Sequence, residues 1–190
     1  MGSRQAGNAA AAEWLASDGA DRPARAGTFA EAAAFAEIVV NATSGHASLA
    51  ALELAGAPHL AGKPLVDVAN PLDFSHGMPP TLTVAVTDSL GEQIQRAFPD
   101  ALVVKTLNTV NSDVMVRPEA LGEDHTMFVA GDDPEAKATV ADVLRSFGWR
   151  SILDLGGIAA ARGMEAYLLL WLNMRMAQDT NAFNIKVVRG

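Results

Sequence analysis

The 190-residue sequence contains no cysteine, which excludes disulfide bonds, thiolate catalysis and cysteine-ligated metal sites. Its four histidines do not show the spacing of metal ligands, so we expect no metal site. Basic residues are scarce: 14 Lys and Arg against 22 Asp and Glu give a net charge of −8, which disfavours binding to nucleic acid. The longest apolar run, Ala166 to Leu172, is far below the roughly 20 residues that span a bilayer.

The remaining composition is that of one compact domain over residues 1–190. Apolar residues make up 49% of the chain, enough for a sizeable core. The first residues lack the apolar core of a signal peptide. We therefore expect a cytoplasmic protein that acts on small molecules rather than on a membrane or on nucleic acid.

Three apolar, strand-like runs end in polar turns and alternate with helix-like segments. The middle run is Pro64 to Asp73, with Glu37 to Gly45 before it and Ala101 to Thr109 after it. Alternating strands and helices predict an α/β fold with a mostly parallel sheet, whose ligands bind at the carboxyl ends of the strands. One cleft is therefore predicted to be lined by Thr43, Ser44, Asn70, Pro71, Asn108 and Thr109.

Helix starts are marked by residues that cap free backbone amides. Thr28 with Glu31, and Ser89 with Glu92, have the spacing of capping boxes, and Asp133 precedes a proline at a first helical position. A minimal strand is expected near Ala24, in a polar loop from Asp18 to Gly27. The loop from Leu72 to Pro80, with His76 and two prolines, is predicted to form a flexible rim or lid.

The last predicted helix runs from about Ala159 to Ala177 and is apolar around most of its circumference. Such a helix must be covered on two sides, so we expect a homodimer built on it. The alternative is that the segment from Ala182 to Val188 folds back over the second side.

Four stretches, in this order and spacing, resemble the F420-dependent NADP oxidoreductase family, relatives of the NADP-binding domain of pyrroline-5-carboxylate reductases. They are Gly2-Ser3-Arg4, Val66 to Leu72 (VDVANPL), Val103 to Val110 (VVKTLNTV), and Gly131 to Lys137 (GDDPEAK) followed by Asp154 to Glu165 (DLGGIAAARGME). The resemblance covers nearly the whole chain. It implies a Rossmann-like domain that binds NADP and exchanges a hydride with coenzyme F420 or a flavin-like partner.

Residue roles follow from this resemblance. Ser3 and Arg4 match the turn that holds the 2′-phosphate of NADP, and a hydroxyl and a guanidinium beside a helix N-terminus suit a dianion. The Thr43–Ser44 turn matches the loop beneath the pyrophosphate and ribose. Residues 70–71 match the segment beside the nicotinamide. Residues 108–109 are assigned a similar role in binding the cofactor. Lys105 could reach an anionic cofactor, or it is simply solvated at the strand end.

No catalytic acid or base is assigned, since hydride transfer between two bound cofactors needs proximity and orientation more than a positioned base. His46 and His76 are predicted to be surface residues. Asn8 stands where relatives often place a second cation. The Gly-rich first turn and the first two strands of the family pattern are not found, so the resemblance implies an N-terminally truncated Rossmann unit with weakened cofactor affinity.

Two other functions remain open. A Rossmann remnant without catalytic activity would act as a binding or interaction module. An NADPH-dependent reductase would reduce a small imine or ketone, as the pyrroline-5-carboxylate reductases do.

Overall fold

The computed structural model describes residues 1–17 and 23–190. The polar loop predicted from Asp18 to Gly27 falls partly on residues 18–22, which lie outside the described residues. Strands and helices alternate along most of the described chain, as the sequence predicts, except that three strands follow one another between residues 64 and 82. The strands are β1 (Gly2–Ser3), β2 (Gly27–Thr28), β3 (Val39–Asn41), β4 (Pro64–Asp67), β5 (Leu72–Asp73), β6 (Thr81–Leu82), β7 (Leu102–Thr106), β8 (Thr126–Ala130) and β9 (Ser151–Asp154).

The helices cover the sheet and connect its strands. They are α1 (Ala9–Ala16), α2 (Phe29–Phe35), α3 (Ser48–Ala55), α4 (Ala57–Leu60), α5 (Leu90–Ala97), α6 (Ser112–Val116), α7 (Pro134–Ser146) and α8 (Ala161–Gln178). Short 3-10 turns lie at Gly45–Ala47, Pro118–Leu121 and Ile158–Ala160.

A five-stranded sheet with the order β3-β4-β7-β8-β9 forms the centre of the fold. Every neighbouring pair is parallel except β7 and β8, so the predicted mostly parallel α/β sheet is confirmed. Because β3, β4 and β7 are adjacent and parallel, their carboxyl ends lie at the same edge. The loops that follow these three strands carry the residues predicted to line a cleft.

Both faces of the three central strands, β4, β7 and β8, are buried, which explains their continuous apolar runs in the sequence. Consecutive residues of a strand point to opposite faces. Leu65 and Val103 belong to one apolar cluster with Ile94 of α5, whereas Val66 and Val104 belong to the other. The second cluster is closed by α7, through residues that include Val140 and Leu144.

The predicted helix starts are confirmed. The Thr28 side chain accepts from the Glu31 amide, while Glu31 accepts from the Thr28 amide. Ser89 accepts from the Glu92 amide, but the Glu92 carboxylate binds the Ser89 hydroxyl rather than its amide. Asp133 caps α7 with a bond of 2.7 Å from the Ala136 amide.

Two small pairs of strands stand outside the main sheet. Gly2–Ser3 pairs in parallel with Gly27–Thr28, so the minimal strand expected near Ala24 forms three residues later. Leu72–Asp73 pairs antiparallel with Thr81–Leu82, so the loop expected from Leu72 to Pro80 is a hairpin at its base. Sequence reasoning missed this hairpin because each of its strands has two residues, too few to show an alternating pattern.

The C-terminal segment folds back along α8. Phe183 stacks on Trp171 with ring centroids 5.2 Å apart, and Ile185 O accepts from the Thr126 amide at 3.0 Å. The C-terminal segment therefore covers one side of the helix, which is the arrangement given above as the alternative to a dimer. Leu169 and Leu170 of the same helix nevertheless stay 41% and 54% exposed. Among the described residues, no helix combines the length and the apolar character needed to cross a membrane.

Candidate functional site

Side chains from two strand ends bind each other directly at the predicted cleft. Asn70, after β4, donates from Nδ2 to the backbone oxygen of Asn108 at 2.9 Å. Asn108, after β7, donates from Nδ2 to Asn70 Oδ1 and to Met164 O, both at 3.0 Å. The two loops and α8 are thus held in one arrangement by three hydrogen bonds.

The loop after β3 touches the same segment through its backbone. A Cβ atom on Gly45 would lie 2.0 Å from Asn70 O and 2.9 Å from Pro71 Cα, so only glycine fits there. Thr43 and Ser44 are thereby brought beside Asn70 and the buried Pro71. Six of the eight residues predicted to bind the cofactor consequently belong to adjoining loops at one edge of the sheet.

The turn after β7 contains a strained backbone. Leu107 adopts a φ of 61°, a left-handed conformation that costs a non-glycine residue roughly 1–2 kcal/mol. Backbone strain of this kind clusters at functional sites. It directs the chain so that Asn108 and Thr109, each 1% exposed, follow immediately at the strand end.

Two oxygens of this turn have no hydrogen-bond partner within the described residues, namely Asn108 Oδ1 and Thr109 Oγ1. Buried polar atoms are nearly always paired, so such atoms need an explanation. Free acceptors beside uncharged hydroxyl and amide groups suit a ligand rich in hydroxyl and carboxamide groups.

Lys105 does not reach into the cleft, so the expectation that it could contact an anionic cofactor is wrong. Its side chain is 0% exposed, and Nζ lies 2.8 Å from Asp67 Oδ2 and 2.9 Å from Glu165 Oε1. Nζ also donates to the backbone oxygen of Ala69. Because a charge is costly to bury unless paired, this lysine is held beneath the cleft by its two carboxylates.

Glu165 connects this buried cluster to the start of α5. Its two carboxylate oxygens accept from the amides of Leu90 at 2.8 Å and Gly91 at 3.0 Å. Burial raises the pKa of Glu165, and the Lys105 ammonium opposes that rise. The carboxylate satisfies helix amides that would otherwise lack partners.

Asp67 connects the cluster to the loop after β3. Asn41 donates from Nδ2 to Asp67 Oδ1 at 2.8 Å, and the Thr43 hydroxyl donates to Asn41 Oδ1 at 2.7 Å. The Thr43 hydroxyl also lies 2.9 Å from Ser48 Oγ. Sequence reasoning missed Asn41, Asp67 and Glu165, although the charge of Asp67 at the end of an apolar strand is itself a signal of a buried pair.

Ser3 and Arg4 lie at the end of β1, which is outside the main sheet. Ser3 ends β1 and donates from its hydroxyl to Gln5 O at 2.5 Å. Arg4 is exposed, and no carboxylate of the described residues lies within salt-bridge distance of it. Asn8 caps α1 by accepting from the Ala11 amide at 3.1 Å. Within the described chain, no hydrogen bond joins Ser3 or Arg4 to the other six residues.

The two histidines near the cleft are exposed, as predicted. His46 Nδ1 lies 2.9 Å from the Ser44 hydroxyl, a contact within one turn. His76 lies in the hairpin between β5 and β6.

A solved structure from Arthrobacter sp. FB24, described as that of a candidate F420-dependent NADP reductase, matches nearly the whole chain. The two share 51% identity over 99% of this chain and 87% of that chain, with a TM-score of 0.93. The chain belongs to the F420-dependent NADP reductase family. The family resemblance expected from the sequence is thereby confirmed.

Other comparisons are more distant. Metalloreductase STEAP3 of Rattus norvegicus is 34% identical over 110 residues, which are 58% of this chain and 21% of that protein. The chain therefore spans about one fifth of this curated relative. A reductive aminase from Aspergillus terreus, solved with NADPH, shares the fold with a TM-score of 0.59 at 16% identity, covering 90% of this chain and 52% of that chain. No family model matches the sequence.

Proposed function

We propose that this member of the F420-dependent NADP reductase family is an NADP-dependent oxidoreductase that exchanges a hydride with coenzyme F420 or a flavin-like partner. The observation that carries the proposal is the 51% identity over 99% of the chain with a protein described as a candidate F420-dependent NADP reductase. A second relative by sequence is named a metalloreductase, which supports reductive chemistry. The proposed compartment is the cytoplasm.

Ser3 and Arg4 are proposed to hold the 2′-phosphate of NADP. The Arg4 guanidinium is exposed and has no ion pair within the described residues, so binding would not break one. The turn leads into α1, whose N-terminus carries a partial positive charge that favours an anion. A guanidinium and a phosphate form strong charge-assisted hydrogen bonds.

The cleft is proposed to hold the ribose and nicotinamide end of the cofactor. Thr43 and Ser44 offer hydroxyl groups, and Asn70 and Pro71 form the adjoining wall. The unpaired oxygens of Asn108 and Thr109 leave acceptor capacity beside them. When bound, NADP(H) would supply or accept a hydride, which is chemistry that the side chains of this chain do not have. Their part is to bind and orient the two planar rings.

The hairpin of β5 and β6 is proposed to cover the hydride partner. It follows Pro71 directly and is fixed to it, because the Thr83 amide donates to Pro71 O at 2.8 Å. Phe74 and Met78 are 55% and 56% exposed on this hairpin. Exposed apolar side chains beside a cleft suit a flat aromatic ligand.

The proposed partner is a second copy of the chain, bound through α8. Five apolar residues on this helix remain exposed after the C-terminal segment has folded back. They are Ala166, Leu169, Leu170, Met176 and Ala177. Closed dimers with two-fold symmetry are the commonest assemblies of such surfaces.

The test is a turnover assay of the purified chain under anaerobic conditions. NADPH is mixed with coenzyme F420, with FMN, or with a cyclic imine, and the loss of NADPH is followed by absorbance. We expect protein-dependent oxidation of NADPH with F420 or FMN. Oxidation only with the imine would favour a small-substrate reductase, and NADPH binding without any turnover would favour a binding module.

A further inference from the structure

The buried ammonium of Lys105 is surrounded by groups of the protein itself. Its Nζ donates hydrogen bonds to Asp67 Oδ2 and to the backbone oxygen of Ala69, and it lies 2.9 Å from Glu165 Oε1. Because the side chain is 0% exposed, a ligand in the cleft does not reach it. Whatever Lys105 contributes to the cleft must act through these partners.

Both cleft loops are attached to this ammonium. Ala69, whose carbonyl it binds, immediately precedes Asn70, and the Ala69 amide donates to Asp67 Oδ1 at 3.2 Å. The same Asp67 oxygen accepts from Asn41, which in turn accepts from Thr43. A chain of hydrogen bonds therefore runs from Lys105 to the loop after β3 and to the loop after β4.

A contribution to the stability of the fold does not by itself explain such a buried charged cluster. Removing charges from water offsets most of their mutual attraction, so packed neutral residues often stabilise a core as well as a buried ion pair does. Directional hydrogen bonds to three separate elements, by contrast, fix relative positions that apolar contacts leave adjustable. The cluster joins β4, β7 and α8, and through Glu165 the start of α5.

We propose that Lys105 is a positioning residue, which together with Asp67 and Glu165 sets the geometry of the Thr43–Ser44 and Asn70–Pro71 loops for the bound cofactor. The claim that this geometry serves cofactor binding rests on the proposed function. The claim that the cluster sets the geometry of the two loops does not. Displacing a binding group by about 1 Å can lower catalysis by roughly 100-fold, so a small shift of these loops has a large effect.

The decisive variant removes all three charges together: Asp67→Asn, Lys105→Met and Glu165→Gln. Replacing Lys105 alone would leave two unpaired buried carboxylates and unfold the chain for a trivial reason. The triple variant keeps similar side-chain volumes and leaves no uncompensated charge. Its melting temperature is measured first, to establish that it folds.

The readout is independent of the cofactor. Amide NMR spectra of the free protein report the backbone of residues 43–44 and 69–71 and the side-chain amides of Asn70 and Asn108. We expect the triple variant to shift these signals and to speed amide exchange there, while the signals of β9, which is not adjacent to β7, stay in place. NADPH titration of the same sample should show about 10-fold weaker binding or more.

A matched control neutralises a different ion pair, at the carboxyl end of β9, a strand that runs opposite to β7. Lys137 lies 2.8 Å from Asp154, outside the cluster, with its side chain 14% exposed. The double variant Lys137→Met with Asp154→Asn should leave the signals of Asn70 and Asn108 and the NADPH affinity unchanged.

A second variant keeps all charges and breaks one link. Asn41→Ala removes the bridge between Asp67 and Thr43, so we expect shifts at Thr43 and Ser44 without shifts at Asn108. If the triple variant does not fold, the Asn41→Ala variant alone tests whether the cluster positions the loop after β3. Unchanged signals at residues 43–44 in this variant, or at residues 69–71 in a folded triple variant, would overturn the proposal. Altered signals in a chain whose wild type does not bind NADPH would support the positioning role and refute the proposed function.

Discussion

Replacing Asn108 with aspartate changes one side-chain group from a donor to an acceptor at the centre of the cleft. Asn108 is 1% exposed, and its Nδ2 donates to Asn70 Oδ1 and to Met164 O. A carboxylate has the same shape but no N–H, so both acceptors lose their donor. Each lost bond costs about 1 kcal/mol, and leaving buried acceptors unpaired raises the total to roughly 2–4 kcal/mol.

The effect of Asn108→Asp should depend on pH. A carboxylate buried against two oxygens resists ionisation, so its folded-state pKa is raised above the unfolded value of about 3.9. A raised acid pKa destabilises the fold only above the unfolded pKa, by about 1.4 kcal/mol for each unit of the shift. We therefore expect the variant to lose stability as the pH rises through the interval between the two values.

Urea unfolding at about pH 4 and about pH 7 measures both effects. Asn108→Ala is the control, because it removes the same donors without adding a charge and should cost the same at both pH values. A cost for Asn108→Asp below about 0.5 kcal/mol, or one equal at the two pH values, would refute the hydrogen bonds assigned to Asn108.

Three further predictions concern other parts of the molecule. Gly45→Ala should destabilise the fold by more than about 2 kcal/mol in thermal melts, because the added Cβ would lie 2.0 Å from the backbone oxygen of Asn70. Gly163→Ala is the control: its Cβ would meet nothing within 4 Å, so it should stabilise α8 by about 0.5–1 kcal/mol. Leu170→Glu should convert a wild-type dimer to a folded monomer in light scattering, and a wild type that is monomeric at high concentration would contradict the dimer. A hydrogen bond from Arg96 lowers the pKa of Asp88 in the folded state to about 2. The stability that this pair adds is therefore fully present above the unfolded-state pKa and is lost as the pH falls from there to about 2. Because Arg96 is 60% exposed, Asp88→Asn should cost less than about 1 kcal/mol near neutral pH and nothing in strong acid, and an equal cost at both pH values would contradict the pair.

The sequence predicted the sheet and the cleft because their signals are local. Apolar runs, capping residues and the polar turns after Val40, Val68 and Thr106 each lie within a few neighbouring positions. Parallel pairing then brings the strand ends together without further information. This is why the contact between Asn70 and Asn108 could be anticipated from residues 38 positions apart.

The buried cluster could not be predicted in the same way. Lys105 and Glu165 are paired across 60 positions, and nothing near either residue specifies the other. Only its place in an apolar strand shows that Lys105 requires a buried partner. The left-handed backbone of Leu107 is equally hidden, since leucine is not a residue that favours this conformation.

The relation between the Ser3–Arg4 turn and NADP is tested most directly by titrating the chain with NADPH and with NADH. We expect NADPH to bind more tightly, and Arg4→Ala to weaken NADPH by about 10- to 100-fold while sparing NADH, since a charge-assisted bond to the 2′-phosphate contributes roughly 1.5–3 kcal/mol. Arg117→Ala is the control, because Arg117 is 66% exposed and lies in a different turn. Equal affinity for the two cofactors, or a parallel loss of both in Arg4→Ala, would contradict the assignment.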